Sequence, residues 1–360
     1  MILLPLALVA ISLFFIPNIP KGVDLKGGTL ISIQASGSVD VAALKASLLK
    51  YSDNVDVRTV SSPVGTGLEI ELESSPMLSQ AEEKLSGLLS LDRELSDAEI
   101  ELGAELAKNV TLQAQQDRVN ALRQRVSAEA GVFYTIIQTP LPAGDAHALA
   151  KTAQQDFADA RQKQSDDILA AIQTLVKVDS YSFKQIGSSL SKFFVTKTQQ
   201  VVLLSFLLCA IIVFIVFRSL VPSIAVLSGA ISDVCITAGA MGLLGIPLSL
   251  ATVATLLMLI GFSLDTDIML TIRVFKRKEG KASDRAYDAM KTGFLMNLTT
   301  MGAFGALLLI AYWLQIPTYS EIGAVAVIGA FADFFATWFL NAPVILMATQ
   351  RKDAAKAQVQ

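Results

Sequence analysis

The sequence predicts an α-helical polytopic membrane protein that carries one large aqueous α+β domain. The chain has 360 residues, 52% of them apolar and 17% charged, where an ordinary soluble domain carries about 25% charge. Its mean hydropathy is +0.53. The apolar residues gather at the N-terminal edge and after Val201, and the stretch between is polar. Lys and Arg fill alternate connections of the apolar part, as in a chain that crosses a bilayer repeatedly.

Six spans are read: Ile2 to Pro17, Val201 to Phe217, about Ser223 to Leu244, Leu248 to Ile272, Gly293 to Leu314 and about Ser320 to Thr349. Most have the roughly 20 residues a bilayer needs. The first is short and contains Pro5. A cleaved signal peptide is its alternative, but it has no basic start and no small residues at a cleavage site. A retained span is expected, and a chain that begins late would also lack the basic start.

Basic residues set the orientation. Arg218 follows span two. Arg273, Lys276, Arg277, Lys278, Lys281, Arg285 and Lys291 fill the connection between spans four and five, and Arg351, Lys352 and Lys356 follow span six. The turns at Gly245–Leu248 and Gln315–Tyr319 hold no Lys or Arg. The positive-inside rule makes the basic connections cytoplasmic. The expected organisation is a first span in 1–17, an extracytoplasmic domain in 18–200, a five-span bundle in 201–350 and a cytoplasmic tail in 351–360, with both termini inside.

Within the outer domain, Leu30–Gln34, Val55–Val60 and Leu68–Leu72 alternate like strands, and the last two are joined as a hairpin by a loop holding Pro63, Gly65 and Gly67. Val39–Leu49 and Met77–Leu91 are spaced like helices, and Val176–Ile186 supplies a last strand. Strand, helix, two strands, helix, strand is a ferredoxin-like order. Ser96–Glu129 and Asp145–Leu175 read as long helices flanking Thr135–Gln138, a helical insertion of about 78–175 with solvated charged faces or, less simply, a partner-binding arm. Asn109-Val-Thr111 matches an N-glycosylation triplet, a weak signal.

Enzyme and metal patterns are missing. There is no His-Glu-x-x-His, no zinc-spaced cysteine pair and no P-loop. Cys209 and Cys235 both fall in spans and read as small buried hydrophobes. The lone His147 lies in a polar segment, and a net charge of −3 carries no message about nucleic acid. Neither a cofactor nor a nucleic-acid partner is expected. Asp24 with Gly27 and Gly28 precedes a strand, so a tight turn is expected there and not a phosphate loop.

The chemistry-bearing residues lie inside the spans. A carboxylate near the centre of a spanning helix costs roughly 2.5–3.5 kcal/mol on insertion scales. Such groups mark ion pathways by default. Asp233 lies in span three; Asp265, Thr266 and Asp267 in span four; Asn297, Thr299 and Thr300 in span five; Glu321 and Asp333 in span six. Asp265 and Asp267 point about 200° apart on a helix and cannot face one partner. Arg273 or Lys291 could pair with Asp267. The competing reading is interhelical hydrogen bonding, favoured for Asp233. Gly229, Gly239, Gly242 and Gly245 in span three, and Gly302 and Gly305 in span five, permit close helix approach.

Three landmarks coincide. Gly22-x-Asp24-x-x-Gly27-Gly28-Thr29 follows span one, a large outer domain separates it from five clustered spans, and span four carries Gly261-Phe-Ser-Leu-Asp-Thr-Asp267 and ends in Arg273. Ile231-Ser-Asp233, Pro247-Leu-Ser-Leu-Ala-Thr252 and Lys291-Thr-Gly-Phe-Leu-Met-Asn-Leu-Thr-Thr300 extend the pattern. The chain resembles the SecF branch of the SecD/SecF protein-export family, over Lys21 to about Leu72 and Ile186 to Thr349. The insertion is not covered. The resemblance implies a six-span, RND-like half that pairs with SecD beside the Sec translocon channel in the cell membrane and assists late movement of exported preproteins. In bacterial members this is linked to proton flow. Their span four has an essential acidic position that Thr266 occupies here, flanked by Asp265 and Asp267. Asp265 instead matches an acidic position of SecD. A functional Arg of span five aligns with Thr292, beside Lys291. These departures resemble the archaeal branch and leave proton coupling open.

An RND-type small-molecule secondary transporter is the runner-up, disfavoured because that class carries both halves in one chain. A receptor or scaffold is disfavoured by the intramembrane carboxylates. Asp265 is expected to lead any ion-coupling role and Asp267 to follow, with Thr266, Arg273 and Lys291 as further candidates.

Overall fold

The computed structural model describes residues 2–35, 39–62, 65–106, 113–276 and 280–357. The Asn109–Thr111 triplet, Pro63, Arg277 and Lys278 lie outside the described residues.

In chain order the elements are α1 (Leu3–Phe15), α2 (Val23–Lys26), β1 (Gly28–Ala35), α3 (Val41–Leu48), β2 (Val55–Ser62), β3 (Gly65–Glu73), α4 (Pro76–Leu106), α5 (Gln113–Ile136), α6 (Ala146–Gln173), β4 (Val178–Ile186), α7 (Ser188–Phe217), α8 (Leu220–Leu244), α9 (Leu250–Thr271), α10 (Ala282–Leu314), α11 (Pro317–Ala336) and α12 (Ala342–Ala357). A short 3₁₀ turn follows α1, and π-helical turns lie at Ile272–Lys276 after α9 and at Thr337–Asn341 between α11 and α12. Contacts divide the chain into two compact units, one chiefly Met1–Leu25 and Phe194–Gln360, the other Lys26–Ser61 and Gly65–Phe193.

The second unit is built on a four-stranded sheet of order β2-β3-β1-β4. The central strand β1 runs antiparallel to both β3 and β4, with Ile31 opposite Ile70 and Phe183. The alternation read in the sequence therefore falls on strands of one sheet. Ile31, Ile33, Leu68, Ile70 and Leu72 are buried under Leu44 and Leu48 of α3 and Ile168 and Ile172 of α6. Gly27 and Gly28 open β1 with φ of +78° and +141°. A β-carbon on Gly28 would meet the Leu72 carbonyl at 2.2 Å, so only glycine fits this turn.

The polar stretch divides into helices differently from expectation. Met77–Leu91 and the start of the expected Ser96–Glu129 helix form one unbroken helix, α4, and the part of that stretch from Gln113 onward belongs to α5. Leu78, Ala81, Leu85, Leu88, Leu91, Leu95, Ala98 and Leu102 are all buried. Their spacing of three and four residues continues one seam across the supposed break. Against that seam pack Val119, Leu122, Val126 and Phe133 of α5 and Leu149, Ala153 and Phe157 of α6. Phe133 and Tyr134 at the end of α5 are buried in this core, so Thr135–Gln138 closes a helix.

The first unit is helical. Among the described residues, five helical segments are long and apolar enough to cross a membrane: Ser188–Phe217, Leu220–Leu244, Leu250–Lys276, Ala282–Leu314 and Pro317–Arg351. The first expected span, Ile2–Pro17, falls on a shorter apolar helix, Leu3–Asn18. The protein is thus a polytopic α-helical membrane protein with a large α/β domain outside the bundle. Span three packs tightly on α1: a β-carbon on Gly239 would strike Ser12 at 2.3 Å, and one on Gly242 the Phe15 carbonyl at 2.1 Å. Gly245 serves differently, as a left-handed C-cap of α8 at φ +69°. Gly302 and Gly305 of α10 face open space, so they do not pack against another helix of this chain.

Candidate functional site

The site is built on α8, α9 and α11 and on the π-turn after α11. Asp233, Asp267 and Asp333 are buried, with exposures of 0%, 0% and 1%. Asp233 Oδ2 accepts a hydrogen bond from the Ser263 hydroxyl of α9. Asp333 Oδ2 accepts one from Asn297 Nδ2 of α10 at 2.9 Å. Thr337 Oγ1 lies 2.9 Å from Asp267 Oδ1 and 3.1 Å from Asp333 Oδ1. The result is a polar core in which hydroxyls and amides, with no Lys or Arg bonded among the described residues, surround three carboxyls.

This arrangement needs small residues and helix irregularity. Gly229 of α8 leaves the space that Asp267 Oδ2 occupies; a β-carbon there would sit 2.4 Å from that oxygen. Gly293 likewise admits the Thr266 methyl group and the Trp338 ring. The π-turn at Thr337–Asn341 holds Thr337, Trp338 and Asn341, all buried. A single π-turn inside an α-helix is a frequent mark of a functional site. Asp233 Oδ1, Asp267 Oδ2, Thr271 Oγ1, Trp338 Nε1 and both amide atoms of Asn341 are buried without a hydrogen-bond partner. A set of such groups in one core is unusual, since buried polar atoms are nearly always satisfied.

The expected residues separate into those that meet and those that do not. Asp267, Asp233, Asn297 and Asp333 meet in the core. Thr266 is buried beside them but bonds its own helix, at the Phe262 carbonyl. Thr299 and Thr300 do not join; both donate to the Met296 carbonyl of their own turn. Asp265 is exposed on the opposite face of α9, as its 200° offset from Asp267 requires (about two helical steps). Lys291 is exposed and pairs with Asp288 at 3.3 Å. Arg273 donates to Thr292 Oγ1 at 2.8 Å and to the Asp288 carbonyl at 3.2 Å. Neither basic residue pairs with Asp267, because each has a nearer acceptor on α10. A guanidinium nevertheless reaches position 292, brought there from the π-turn after span four.

Ser263, Thr337 and Asn341 were not anticipated. Each stands four or eight residues from a buried Asp on its own helix: Ser263 before Asp267, Thr337 and Asn341 after Asp333. The i, i+4 rule that places one-face neighbours would have found them had hydroxyls and amides been read with the carboxylates.

The residues after α1 form a structural motif. Gly22 N donates to the Leu248 carbonyl at 3.0 Å, Leu248 N to the Pro20 carbonyl at 2.7 Å, and Leu250 N to Asp24 Oδ2 at 3.2 Å. Asp24, 3% exposed, thus caps the first turn of α9, where a carboxylate meets both free N–H groups and the positive end of the helix dipole. Glu321 reaches the same turn and accepts from Ser249 Oγ at 3.2 Å.

A second ionisable cluster lies in the three-helix part of the other unit. His147 Nδ1 is 2.6 Å from Asp92 Oδ1 and Nε2 is 3.0 Å from Glu99 Oε2. Glu99 Oε1 accepts from Arg123 Nη2 at 2.7 Å. The hydrogen bonds to Glu99 and Asp92 raise the imidazole above its ordinary range, and the bond to His147 lowers Glu99. Among the described residues no group of His, Cys, Asp and Glu is arranged to hold a metal ion.

Residues 164–351 match the family described as "Protein export membrane protein SecD/SecF, C-terminal". The chain is 43% identical over 166 residues to the protein-export membrane protein SecF of Methanothermobacter thermautotrophicus, covering 46% of this chain and 58% of that one. It is 41% identical over 193 residues to the SecF of Methanocaldococcus jannaschii, covering 51% and 68%. The match therefore spans somewhat more than half of these relatives. A crystal structure of SecDF, described as a translocon-associated membrane protein from Thermus thermophilus, aligns with a TM-score of 0.60 at 14% identity, over 97% of this chain and 37% of that one. That likeness is one of fold. Asp233, Asp267 and Asp333 all fall within the family-matched segment.

Proposed function

The chain belongs to the SecD/SecF family of protein-export membrane proteins, and on that premise we propose that it is the SecF-type half of a SecD–SecF pair in the cell membrane. In this reading the pair sits beside the Sec translocon channel and assists Sec-dependent movement of exported preproteins. The short helix α1 is the first of six spans in an RND-like half. The basic connections face the cytoplasm, and the α/β domain lies outside. The sheet order β2-β3-β1-β4 and the sequence of strands and helices favour a ferredoxin-like core for that domain.

The observation that carries the reading is the buried carboxyl set inside the family-matched segment. Three intramembrane carboxyls with no basic partner among the described residues are costly, and such groups usually serve an ion pathway. Asp267, with Asp233 and Asp333, is the candidate for ion response. Asp265 is a candidate of another kind. It is exposed on α9, one turn from Gly261, which also has open space beside it, and α10 offers Gly302 and Gly305. A carboxyl on such a smooth face suits the SecD half, with lipid covering the rest. A small-molecule transporter of RND type would use the same carboxyls, but no observation favours it.

Affinity purification tests the assignment: SecD and translocon subunits should co-purify with this chain. Isolation only as a homodimer, or near-normal export after deletion of the SecD-like partner, would count against it.

A further inference from the structure

We propose that Thr337 is a proton-relay residue, holding Asp267 and Asp333 to one shared proton between span four and span six. The inference rests on the ion-responsive reading only for its use in transport; the relay itself follows from the hydrogen-bond geometry.

The geometry poses a count of hydrogens. The Thr337 hydroxyl has one hydrogen to donate. Its oxygen nevertheless lies within bonding distance of carboxyl oxygens on two residues, at 2.9 Å and 3.1 Å. Two bonds need two hydrogens, so the second comes from a carboxyl. Asp333 has a further donor, Asn297 Nδ2, which suits it to the charged form. Asp267 Oδ2 lies against Gly229 with no donor, which suits Asp267 to the neutral form. The chain of bonds then runs from Asp267 Oδ1–H to Thr337 Oγ1, and from Thr337 Oγ1–H to Asp333 Oδ1.

Transfer along it balances. Asp267 gives its proton to Thr337 Oγ1, and Thr337 gives its own hydroxyl proton to Asp333 Oδ1. Asp267 becomes the carboxylate, Asp333 the acid, Thr337 remains a neutral alcohol, and the pair keeps one negative charge throughout. Asn341 supplies the second observation. It is fully buried, and its amide faces Asp267, yet neither amide atom makes a hydrogen bond of good geometry. That unused Nδ2–H donor is placed to bond Asp267 once the charge arrives there. The other ionisable group turned toward the pair is Asp233 of α8. α10 contributes Asn297, while Arg273 and Lys276 bond Thr292 and the Val216 carbonyl instead.

The test is infrared titration of the full chain, reconstituted in lipid vesicles, following the carbonyl band of protonated carboxylic acids. The relay predicts an acid band that disappears in the Asp267→Asn, Asp333→Asn double variant. Thr337→Val removes the hydroxyl at nearly constant shape; it should shift the band and move its titration midpoint by about one pH unit, roughly tenfold in proton affinity. Thr337→Ser should restore both. The proposal is overturned if no acid band belongs to the pair, if Thr337→Val leaves frequency and midpoint unchanged, or if Thr337→Ser behaves like Thr337→Val. Proton uptake by the same vesicles is read separately. Absence of uptake with the relay signature intact would remove the ion-coupled reading and leave the shared proton standing.

Discussion

A β-carbon on Gly229 of α8 would lie 2.4 Å from Oδ2 of Asp267 on α9. The helix backbone itself is therefore the wall of the carboxyl site. Small residues in membrane helices usually serve helix–helix packing. Gly229 does that and also reserves volume for one polar side chain.

Gly229→Ala should consequently be damaging where other glycine changes are not. Overpacking of this kind costs about 1–3 kcal/mol, read as a lowered unfolding temperature in detergent. Gly302→Ala on α10, where a β-carbon meets open space, should stay within about 0.5 kcal/mol of the parent chain. Equal effects at both positions would contradict the packing account.

Asp24→Ala removes the carboxylate that accepts from Leu250 N at the start of α9. The expected loss is about 1 kcal/mol, the usual worth of a helix cap. Faster hydrogen exchange should be confined to the first turn of α9. Unchanged exchange there would show that the bond contributes nothing.

The His147 cluster should make the α4–α6 packing depend on pH. His147 is raised by Glu99 and Asp92, so its contribution is complete below the unfolded value of about 6.5 and is lost as pH rises through the higher folded value. Glu99 is lowered, so its contribution is present above about 4.3 and is lost as pH falls through the lower folded value. Hydrogen exchange of α4 and α6 should thus quicken at both ends of that window, modestly because the cluster is part-exposed. His147→Gln should abolish the alkaline limb and weaken the acid limb, because the bond to His147 is the chief cause that lowers Glu99. An unaltered alkaline limb in that variant would refute the clamp.

Much of this architecture was legible in the residues. Alternation at Leu30–Gln34 and Leu68–Leu72 marked strands because one face of the sheet is buried under α3 and α6. The apolar stretches fell on helices, although Ser188–Phe217 and Ala282–Leu314 begin well before the expected starts at Val201 and Gly293, and the offset of Asp265 from Asp267 followed from helix geometry. The continuity of α4 was missed because charged residues such as Asp92 and Glu94 interrupt the composition without interrupting the seam. The site was half legible. Carboxylates announce their cost in a membrane, but Thr337 and Ser263 do so only when counted from an aspartate four residues away. The π-turns were invisible, since an added residue in a helical turn leaves no mark in apolar periodicity over so short a stretch. Proximity along the chain made Arg273 and Lys291 possible partners of Asp267, whereas Arg273 turns to Thr292 and Lys291 to Asp288.

The most direct test of the account is an export assay with Asp267→Asn, Asp265→Asn and the double variant, in which yield and association with the SecD-like partner are monitored. The account predicts that Asp267→Asn folds, assembles and loses export, because the change removes the ionisable carboxyl from the buried core while keeping its shape. Normal assembly with normal export in Asp267→Asn would contradict it. Loss of assembly alone would reduce the core to interhelical hydrogen bonding.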